Sequence, residues 1–258
     1  MNHYQVTARN FSEASENRIH SDEIAKKFGF KGALVPGVAV YGYLTHPLVT
    51  QFGEAWLSQS VCDLRLLKPA YDGDRLALSL SVGDDQHTVH CHNDDGELLA
   101  ILTSTTPKSP PAAEPSSIFS QRAKSNGRIE ISWNTVIPLE PFNNWTFTVT
   151  EEENALYTSQ VADNLELYTT GIAHPHLLLS YANGALMHEY MMPTWIHVGS
   201  ETRHRCRVNV GDTITVKSVP LEKWRKKGHE FIRLYVSYWR GEELTTDILH
   251  TAIFKVAG

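Results

Sequence analysis

The clearest hydrophobic pattern in the chain runs from Pro36 to about Phe52, where apolar side chains recur at helical spacing. The residues that form this stripe are Val40, Leu44, Leu48 and Phe52. Two small residues, Ala39 and Gly42, lie beside it and allow the backbone to approach the sheet closely. The pattern predicts a long buried helix, and we interpret its aromatic and small positions as core.

Four landmarks occur in the same order in both halves of the chain: a glycine-led entry to an apolar helix, a proline at the helix mouth, a Gly-Asp turn and a second glycine turn. In that order, with the first half named first, the helix entries are residues 32–44 and 171–186, the prolines are Pro36 and Pro175, the Gly-Asp turns contain Gly73 and Gly211, and the second turns contain Gly96 and Gly241. Glycine at such turns supplies the positive φ of a tight hairpin, and alternating apolar stretches such as Leu76, Leu78 and Leu80 flank the turns. Each half is therefore predicted to hold a strand, a long helix and about four antiparallel strands.

A segment rich in proline, serine and alanine, residues 107–126, separates the two halves and is typical of a linker. It divides the chain into an N-terminal unit of residues 1–106 and a C-terminal unit of residues 127–258. A sheet that is apolar on one face needs a covering layer, so each helix is expected to lie in the concave face of a curled sheet, which makes the fold α+β. A single unit would leave sheet edges unpaired, so we expect the two sheets to join edge to edge with both helices on one side.

Composition narrows the class of protein. Hydrophobic residues make up 41% of the 258 positions and charged residues 20%, as in ordinary globular proteins. The net charge of −6 argues against nucleic-acid binding, which depends on phosphate neutralisation. No apolar run reaches the length of a membrane span, and the N-terminal residues resemble neither a signal nor a transit peptide, so we expect a cytoplasmic protein. The three cysteines are too few and too widely spaced for a disulfide framework or a zinc site.

The first half contains a segment that the second half lacks. It lies between the predicted opening strand, residues 6–10, and the central helix, and it contains His20. Residues 22–28 carry the signals of a short helix, with acidic residues at its start, lysines at its end and a glycine after it. The corresponding segment of the second half, which follows the predicted strand of residues 146–150, has no histidine.

Residues 15–22 read Ser-Glu-Asn-Arg-Ile-His-Ser-Asp, and the short helix that follows leads to Gly-Phe-Lys-Gly-Ala-Leu-Val-Pro-Gly, residues 29–37. This text resembles the active-site loop of the MaoC-like (R)-specific enoyl-CoA hydratases and dehydratases. The positions that match the family pattern D-x-N-P-[IL]-H-x-D and its glycine-rich helix entry are Asn17, Ile19, His20, Asp22 and Gly37. Arg18 replaces the proline, and Ser15 occupies the position of the family's catalytic aspartate. The resemblance covers nearly the whole chain and implies a double hot-dog fold, a lyase acting on the acyl-CoA thioesters of fatty acid metabolism, and no cofactor.

The chemistry of such a reaction also points to these residues. Hydration of a double bond conjugated to a thioester needs a base for the water, a proton donor for the α-carbon and hydrogen-bond donors for the enolate oxygen. A histidine such as His20 can serve as both base and acid near neutral pH. Backbone N–H groups at a helix N-terminus suit the oxygen, and Gly37 opens the central helix.

Because the family's aspartate is missing, three residues near His20 are candidates for its role in the reaction: Ser15, Glu16 and Asn17. If residues 15–20 formed a helical turn, Glu16 and Asn17 would share the face of His20, and Glu16 could then orient or charge the imidazole. The alternative is that Glu16 is a solvated surface residue. Ser15 has no ionisable group and could only position a water in contact with substrate.

Other polar clusters admit both a functional and a structural interpretation. The sequence His-Thr-Val-His-Cys-His of residues 87–92 resembles a metal cluster, but only His90 and His92 share a strand face, so we predict no metal site. His174 and His176 lie at the second helix mouth, where they either line the first site or belong to a degenerate pocket. Two basic stretches, centred on Arg205 in residues 201–209 and on Arg225 in residues 221–229, either bind the phosphates of CoA or an acidic carrier protein or are solvated.

Three functions remain open at this point. The first is an acyl-thioester hydratase or dehydratase whose partner is acyl-CoA or an acyl-carrier-protein thioester. The second is a thioesterase, which needs a carboxylate on a central helix, for which only Glu54 and Glu189 are available. The third is a non-catalytic acyl-thioester-binding protein, favoured by Ser15 in place of the aspartate. A homodimer of double units is compatible with all three. The predicted pocket lies between the halves, around Asn17, His20 and Gly37.

Overall fold

The computed structural model describes residues 2–119 and 127–257. In the first half, the helices are α1 (Asp22–Lys27), α2 (Gly37–Phe52) and α3 (Glu54–Gln59). The strands are β1 (Asn2–Thr7), β2 (Val61–Leu66), β3 (Arg75–Val82), β4 (His87–His92) and β5 (Leu98–Thr105). The opening strand lies earlier than predicted, because after Thr7 the chain turns away from β3 and the backbone N–H of Asn10 donates to the Asp72 carboxylate.

The second half repeats this order of helices and strands, and its last four strands are longer than those of the first half. Its helices are α4 (Glu151–Gln160), α5 (Glu166–Thr169) and α6 (Pro175–Glu189). Its strands are β6 (Ile129–Glu130), β7 (Trp145–Thr148), β8 (Tyr190–Met191), β9 (Ile196–His204), β10 (Thr213–Lys226), β11 (His229–Arg240) and β12 (Glu243–Lys255). The long helix begins at Pro175 because the His174 side chain caps it, accepting from the backbone N–H of His176 at 3.0 Å. The glycines of the predicted turns, such as Gly73 and Gly211, have positive φ.

One antiparallel sheet runs through both halves. Its ten strands follow the order β1-β3-β4-β5-β2-β9-β12-β11-β10-β7. The halves meet where β2 pairs with β9, with Cys62 opposite Thr202 and Leu64 opposite Ser200. The predicted edge-to-edge joining of two sheets is therefore confirmed.

The two long helices pack against each other and share a single apolar core with the sheet. Of the sixteen residues of α2, eleven are buried, including Val40, Leu44 and Leu48 of the predicted stripe. Gly42 permits a close approach, but to the second half rather than to the sheet: a Cβ there would lie 2.8 Å from Cγ1 of Val161, after α4, and 3.1 Å from the Cβ of His176 in α6. The predicted α+β architecture, with one buried helix per curled half-sheet, is present in both units.

The first part of the predicted linker packs against the second unit. Arg203 and Arg205 donate to the carbonyl oxygens of Ala112 and Pro111, at 3.2 and 2.8 Å. The Phe119 ring lies 5.9 Å from that of Tyr235. Residues 120–126 of the linker lie outside the described residues. Among the helices that the structure describes, none is long and apolar enough to cross a membrane.

Candidate active site

A cavity of about 50 Å³ lies between the two halves, beside the N-terminus of α2. Its polar lining consists of Asn17, His20, Lys68, Asn183 and His197, and its remaining walls are mostly apolar. The space holds a few water molecules or a small polar group. Asn17, His20 and Gly37, which the sequence placed around one pocket, all line this cavity.

Local structure holds His20 in a defined tautomer. It ends a 3-10 turn, Arg18–His20, that Asn17 caps. The Nδ1 atom lies 2.7 Å from the carbonyl oxygen of Leu34, and because a carbonyl only accepts, Nδ1 carries the hydrogen. The lone pair of the neutral ring therefore lies on Nε2. Burial lowers the pKa of His20 below the ordinary value of 6.5, against a smaller opposing effect of the Leu34 carbonyl, so the imidazole is a neutral base at neutral pH.

The Asn17 side chain ties this loop to the second half. Its Oδ1 accepts from the backbone N–H of Trp195 at 3.1 Å, and its Nδ2 donates to the Trp195 carbonyl at 3.0 Å. The second hydrogen of Nδ2 points to Nε2 of His20, at 3.3 Å. Every hydrogen of the amide thus has an acceptor, and the arrangement independently requires Nε2 of His20 to be unprotonated.

Gly37 is the first residue of α2 and leaves room for close approach. A Cβ at this position would lie 2.5 Å from Cδ1 of Leu66 and 2.9 Å from Nδ1 of His197, so any side chain would invade the cavity wall. The first N–H groups of a helix, here those of Gly37 and Val38, have no intrahelical acceptor. They provide hydrogen-bond donors and the positive end of a helix dipole beside the cavity.

The structure contradicts the expectation that Glu16 lies on the face of His20. The helical turn begins only after Asn17, so Glu16 points elsewhere, and its carboxylate forms a two-bond ion pair with Arg128 at 2.5 and 2.8 Å. The hydrogen bonds from Arg128 lower the pKa of Glu16. Ser15 does not line the cavity either, because its hydroxyl donates to the Asn17 carbonyl at 3.2 Å.

Substitution of Glu16 tests this placement. Glu16→Gln is expected to change catalytic rate by less than about threefold, because an exposed ion pair away from the cavity contributes little. Initial rates of hydration of 2-butenoyl-CoA, the activity that the sequence resemblance implies, provide the measurement, with the exposed loop variant Glu13→Gln as the control. A decrease in the hydration rate as large as that caused by substitution of His20 would show that Glu16 takes part in catalysis.

The basic stretches also lie apart from the cavity. Arg205 is bonded to the buried Asp247 carboxylate of β12 at 2.5 Å, and Arg203, which lies opposite Asp247 in the register of β9 and β12, is bonded to it at 3.2 Å. Arg225 stacks on the Trp133 ring at 4.1 Å and pairs with Glu230 at 2.9 Å. Neither arginine that the sequence suggested for substrate binding is an unpaired cation at the cavity.

The histidines at the second helix mouth have structural partners. His174 donates to the Asp163 carboxylate at 3.2 Å, and Asp163 also lies 3.0 Å from Nδ1 of His46. His176 bonds the Val38 carbonyl at 2.9 Å, and neither His174 nor His176 lines the cavity. Within residues 2–119 and 127–257, no group of three or more histidine, cysteine, aspartate or glutamate side chains is placed to hold a metal ion.

The second half contributes residues to the cavity wall that sequence reasoning did not name. Its residues Asn183, Trp195 and His197 line the cavity. In each of these side chains one buried polar atom lacks a hydrogen-bond partner within the described part of the chain: Oδ1 of Asn183, Nε1 of Trp195 and Nδ1 of His197. No local motif marks these residues, which approach the His20 loop only through the tertiary fold. Unpaired buried polar atoms in three residues that line one cavity indicate a place for a polar ligand.

Solved structures similar to this chain share its complete architecture. A protein named as a MaoC domain dehydratase from Chloroflexus aurantiacus superposes with a TM-score of 0.62 at 15% identity, covering 99% of this chain and 94% of that one. A Mycobacterium tuberculosis protein described as having a double hotdog fold gives a TM-score of 0.62 at 14% identity, with 98% and 95% covered. The chain has the double hot-dog fold. No protein-family model matches the sequence, and no curated protein matches it either.

The double hot-dog neighbours do not share one activity. A protein named as an oleoyl thioesterase from Lactobacillus plantarum superposes with a TM-score of 0.57 at 9% identity, with 99% of this chain and 96% of that one covered. The similar structures thus include dehydratases and thioesterases, and likeness at such identities establishes the fold alone. A choice between reactions has to come from the residues of this cavity.

Proposed function

We propose that this double hot-dog chain is a hydratase/dehydratase that adds water to, or removes it from, a 2-enoyl thioester. The observation that carries the proposal is the position of His20, a neutral imidazole with its lone pair on Nε2, in the same cavity as the N-terminus of α2. A base and a set of oxygen-binding donors in one small enclosed space are the groups that this reaction requires.

The addition of water can be written with these groups alone. Nε2 of His20 takes a proton from a water molecule while the water oxygen bonds to the β-carbon. The electron pair of the double bond moves toward the thioester oxygen, which accepts hydrogen bonds from the N–H groups of Gly37 and Val38. The imidazolium then returns its proton to the α-carbon as the carbonyl re-forms, so the ring ends neutral. Dehydration is the same sequence in reverse.

The size of the cavity and its rim bear on the substrate. A space of about 50 Å³ accommodates the reacting atoms but not a long acyl chain. Lys68, half-exposed at the lining and paired with Glu97 at 2.7 Å, is the only cationic side chain among the described residues that line it. We therefore propose a short enoyl thioester as substrate, with CoA or a carrier protein as the handle reaching out past Lys68.

Thioester hydrolysis fits the cavity less well. Among the described residues that line it, none carries a carboxylate. Glu54 is exposed and paired with Arg207, and Glu189 is buried within hydrogen-bond distance of Asn143, so neither can activate a water molecule in the cavity. A non-catalytic acyl-thioester-binding protein is the alternative that one observation favours: the lone pair of His20 already accepts a hydrogen bond from Asn17.

A panel of enoyl-CoA thioesters of increasing chain length tests the proposal. Loss of the enoyl-thioester absorbance on addition of the protein is expected for short chains, without release of free thiol. Thiol release without loss of the double bond would instead identify a thioesterase. Binding of the thioester with neither change would identify a binding protein.

Ser15→Asp tests whether the family's missing carboxylate limits the reaction. The Ser15 hydroxyl donates to the Asn17 carbonyl and does not line the cavity, so a carboxylate at this position has no substrate beside it, and we expect Ser15→Asp to hydrate 2-butenoyl-CoA no faster than wild type. Ser12→Asp, in the same loop, is the matched control for the added charge. If wild type is inactive and only Ser15→Asp hydrates the substrate, the natural protein is a binding protein. If wild type is active and Ser15→Asp is no faster, the reaction does not need this carboxylate.

A further inference from the structure

His197 faces the N-terminus of α2 from the opposite side of the cavity. Its side chain is 6% exposed, and its Nδ1 lies 2.9 Å from the point that a Cβ of Gly37 would occupy. Nδ1 is buried and has no hydrogen-bond partner among the residues that the structure describes. A polar ring nitrogen is thus directed at the same space as the free N–H groups of α2.

The other nitrogen of His197 belongs to a buried chain of hydrogen bonds. Its Nε2 lies 2.9 Å from the hydroxyl oxygen of Ser200, and the same oxygen lies 3.0 Å from Nδ1 of His250. The two rings are stacked at 4.4 Å. The Ser200 hydroxyl has no other hydrogen-bond partner among the described residues, so its single hydrogen goes to one ring and its oxygen accepts from the other. The tautomers of the two histidines are therefore coupled, and only two arrangements are possible while both rings are neutral.

The enclosed end of the chain selects one arrangement. His250 is 0% exposed and does not line the cavity, and its Nε2 has no partner in the described part of the chain. An orphaned buried N–H is rarer than an unsatisfied acceptor, so the hydrogen of His250 belongs on Nδ1. His250 then donates to Ser200, Ser200 donates to Nε2 of His197, and the hydrogen of His197 lies on Nδ1, where a ligand can accept it.

Both rings are neutral at neutral pH. Burial lowers the pKa of His197 to about 4, against a smaller opposing effect of the Gly199 carbonyl, and burial also lowers the pKa of His250 well below its usual value. A neutral imidazole can still polarise a carbonyl by donating its N–H, and it does so without the desolvation cost of a buried cation. His197 therefore does not have to be protonated to bind a carbonyl oxygen.

We propose that the Nδ1–H of His197 donates a hydrogen bond to the carbonyl oxygen of the bound acyl thioester, completing with the N–H of Gly37 an oxyanion site shared by the two halves. This inference rests on the proposed acyl-thioester function. Ser200 and His250 are positioning residues that hold the ring in the donating tautomer. The substrate class follows: the double bond must be conjugated to a carbonyl, because only then does negative charge develop on the oxygen that His197 and Gly37 bind.

His197→Phe removes the donor and keeps a ring that can stack on His250. With 2-butenoyl-CoA we expect kcat to fall by about 10²–10³-fold, the range for loss of one oxyanion donor. KM should change much less, because the bond strengthens as charge develops. His197→Gln, whose amide can donate, should recover part of the loss. His90→Phe, a half-buried histidine of β4 outside the cavity, is the matched control.

Two measurements do not depend on turnover. Two-bond ¹H–¹⁵N spectra of the wild-type protein should show His197 protonated at Nδ1, with the signal assigned by its loss in His197→Phe. The infrared carbonyl band of bound butanoyl-CoA, labelled with ¹³C at the thioester carbon, should lie at lower frequency in wild type than in His197→Phe. Ser200→Ala should weaken that shift, because the tautomer is no longer held.

The outcomes separate this inference from the proposed function. A wild type that hydrates enoyl thioesters while His197→Phe keeps both its kcat and its carbonyl frequency overturns the role of His197 only. If wild type hydrates no enoyl thioester but lowers the carbonyl frequency of bound butanoyl-CoA in a way that depends on His197, the proposed hydratase function is wrong and the proposed carbonyl-binding role of His197 is supported. Protonation of His197 at Nε2 in place of Nδ1, or no binding of butanoyl-CoA, overturns this inference.

Discussion

His20→Ala is expected to reduce hydration of a short enoyl-CoA by about 10²–10⁴-fold, the contribution of a positioned general acid–base. The imidazole is held by the Leu34 carbonyl and by Asn17, so that the lone pair of Nε2 lies at the cavity. Alanine retains neither the lone pair nor the hydrogen bond to Leu34. Initial rates should be compared with those of His3→Ala, which changes an exposed histidine of β1. Thermal unfolding of both variants would show whether the loss is catalytic.

The pH profile gives a second signature of the same residue. Because burial lowers the pKa of His20, the basic form persists below the ordinary histidine value of 6.5. The acid limb of kcat/KM should therefore lie at lower pH than an unperturbed histidine would place it, and His20→Ala should abolish this limb. Activity in His20→Ala near the wild-type level would show that another group is the base.

Asp163→Asn is expected to lower the free energy of unfolding by about 3 kcal/mol, the scale of breaking a buried charge cluster by removing one partner. Asp163 is 7% exposed and accepts hydrogen bonds from His174 at 3.2 Å and from the backbone N–H of Leu165 at 3.1 Å. The oxygen that accepts from Leu165 also lies 3.0 Å from Nδ1 of His46 on α2. The cluster thus links the central helix of the first half to the entry of α6, and an amide cannot accept at both oxygens.

Urea denaturation at neutral pH measures this effect, with Asp84→Asn in the exposed β3–β4 turn as the matched control. Burial alone would raise the pKa of Asp163, but the hydrogen bond from His174 and the proximity of His46 outweigh it and hold that pKa well below the ordinary 3.8. A carboxyl with a depressed pKa stabilises the fold above its unfolded pKa and loses that contribution as the pH falls toward the folded value. The difference between wild type and Asp163→Asn should therefore shrink below about pH 4. Equal stability of the two proteins at neutral pH would show that the cluster contributes nothing.

Local patterns carried most of the architecture. The helical stripe of Val40, Leu44 and Leu48 and the glycine turns at Gly73 and Gly211 are encoded within short stretches, because helix periodicity and positive φ depend on neighbouring residues. The repetition of these landmarks in both halves was enough to predict a shared sheet. The bounds of single elements were less accurate, as at the opening strand, which ends at Thr7 because the chain there leaves its neighbour β3.

The sequence by itself determined the double unit, the loop that carries Asn17 and His20, and the glycine at the mouth of α2. Only the tertiary structure decided which side chains meet there. Glu16 pairs with Arg128, 112 positions away, and Arg205 pairs with Asp247 across a strand register that no local pattern specifies. His197 faces Gly37 because β9 pairs with β2 and so aligns the second half against the first. Contacts between residues this distant in sequence depend on how the two sheets pair. Short-range periodicity carries no information about that pairing.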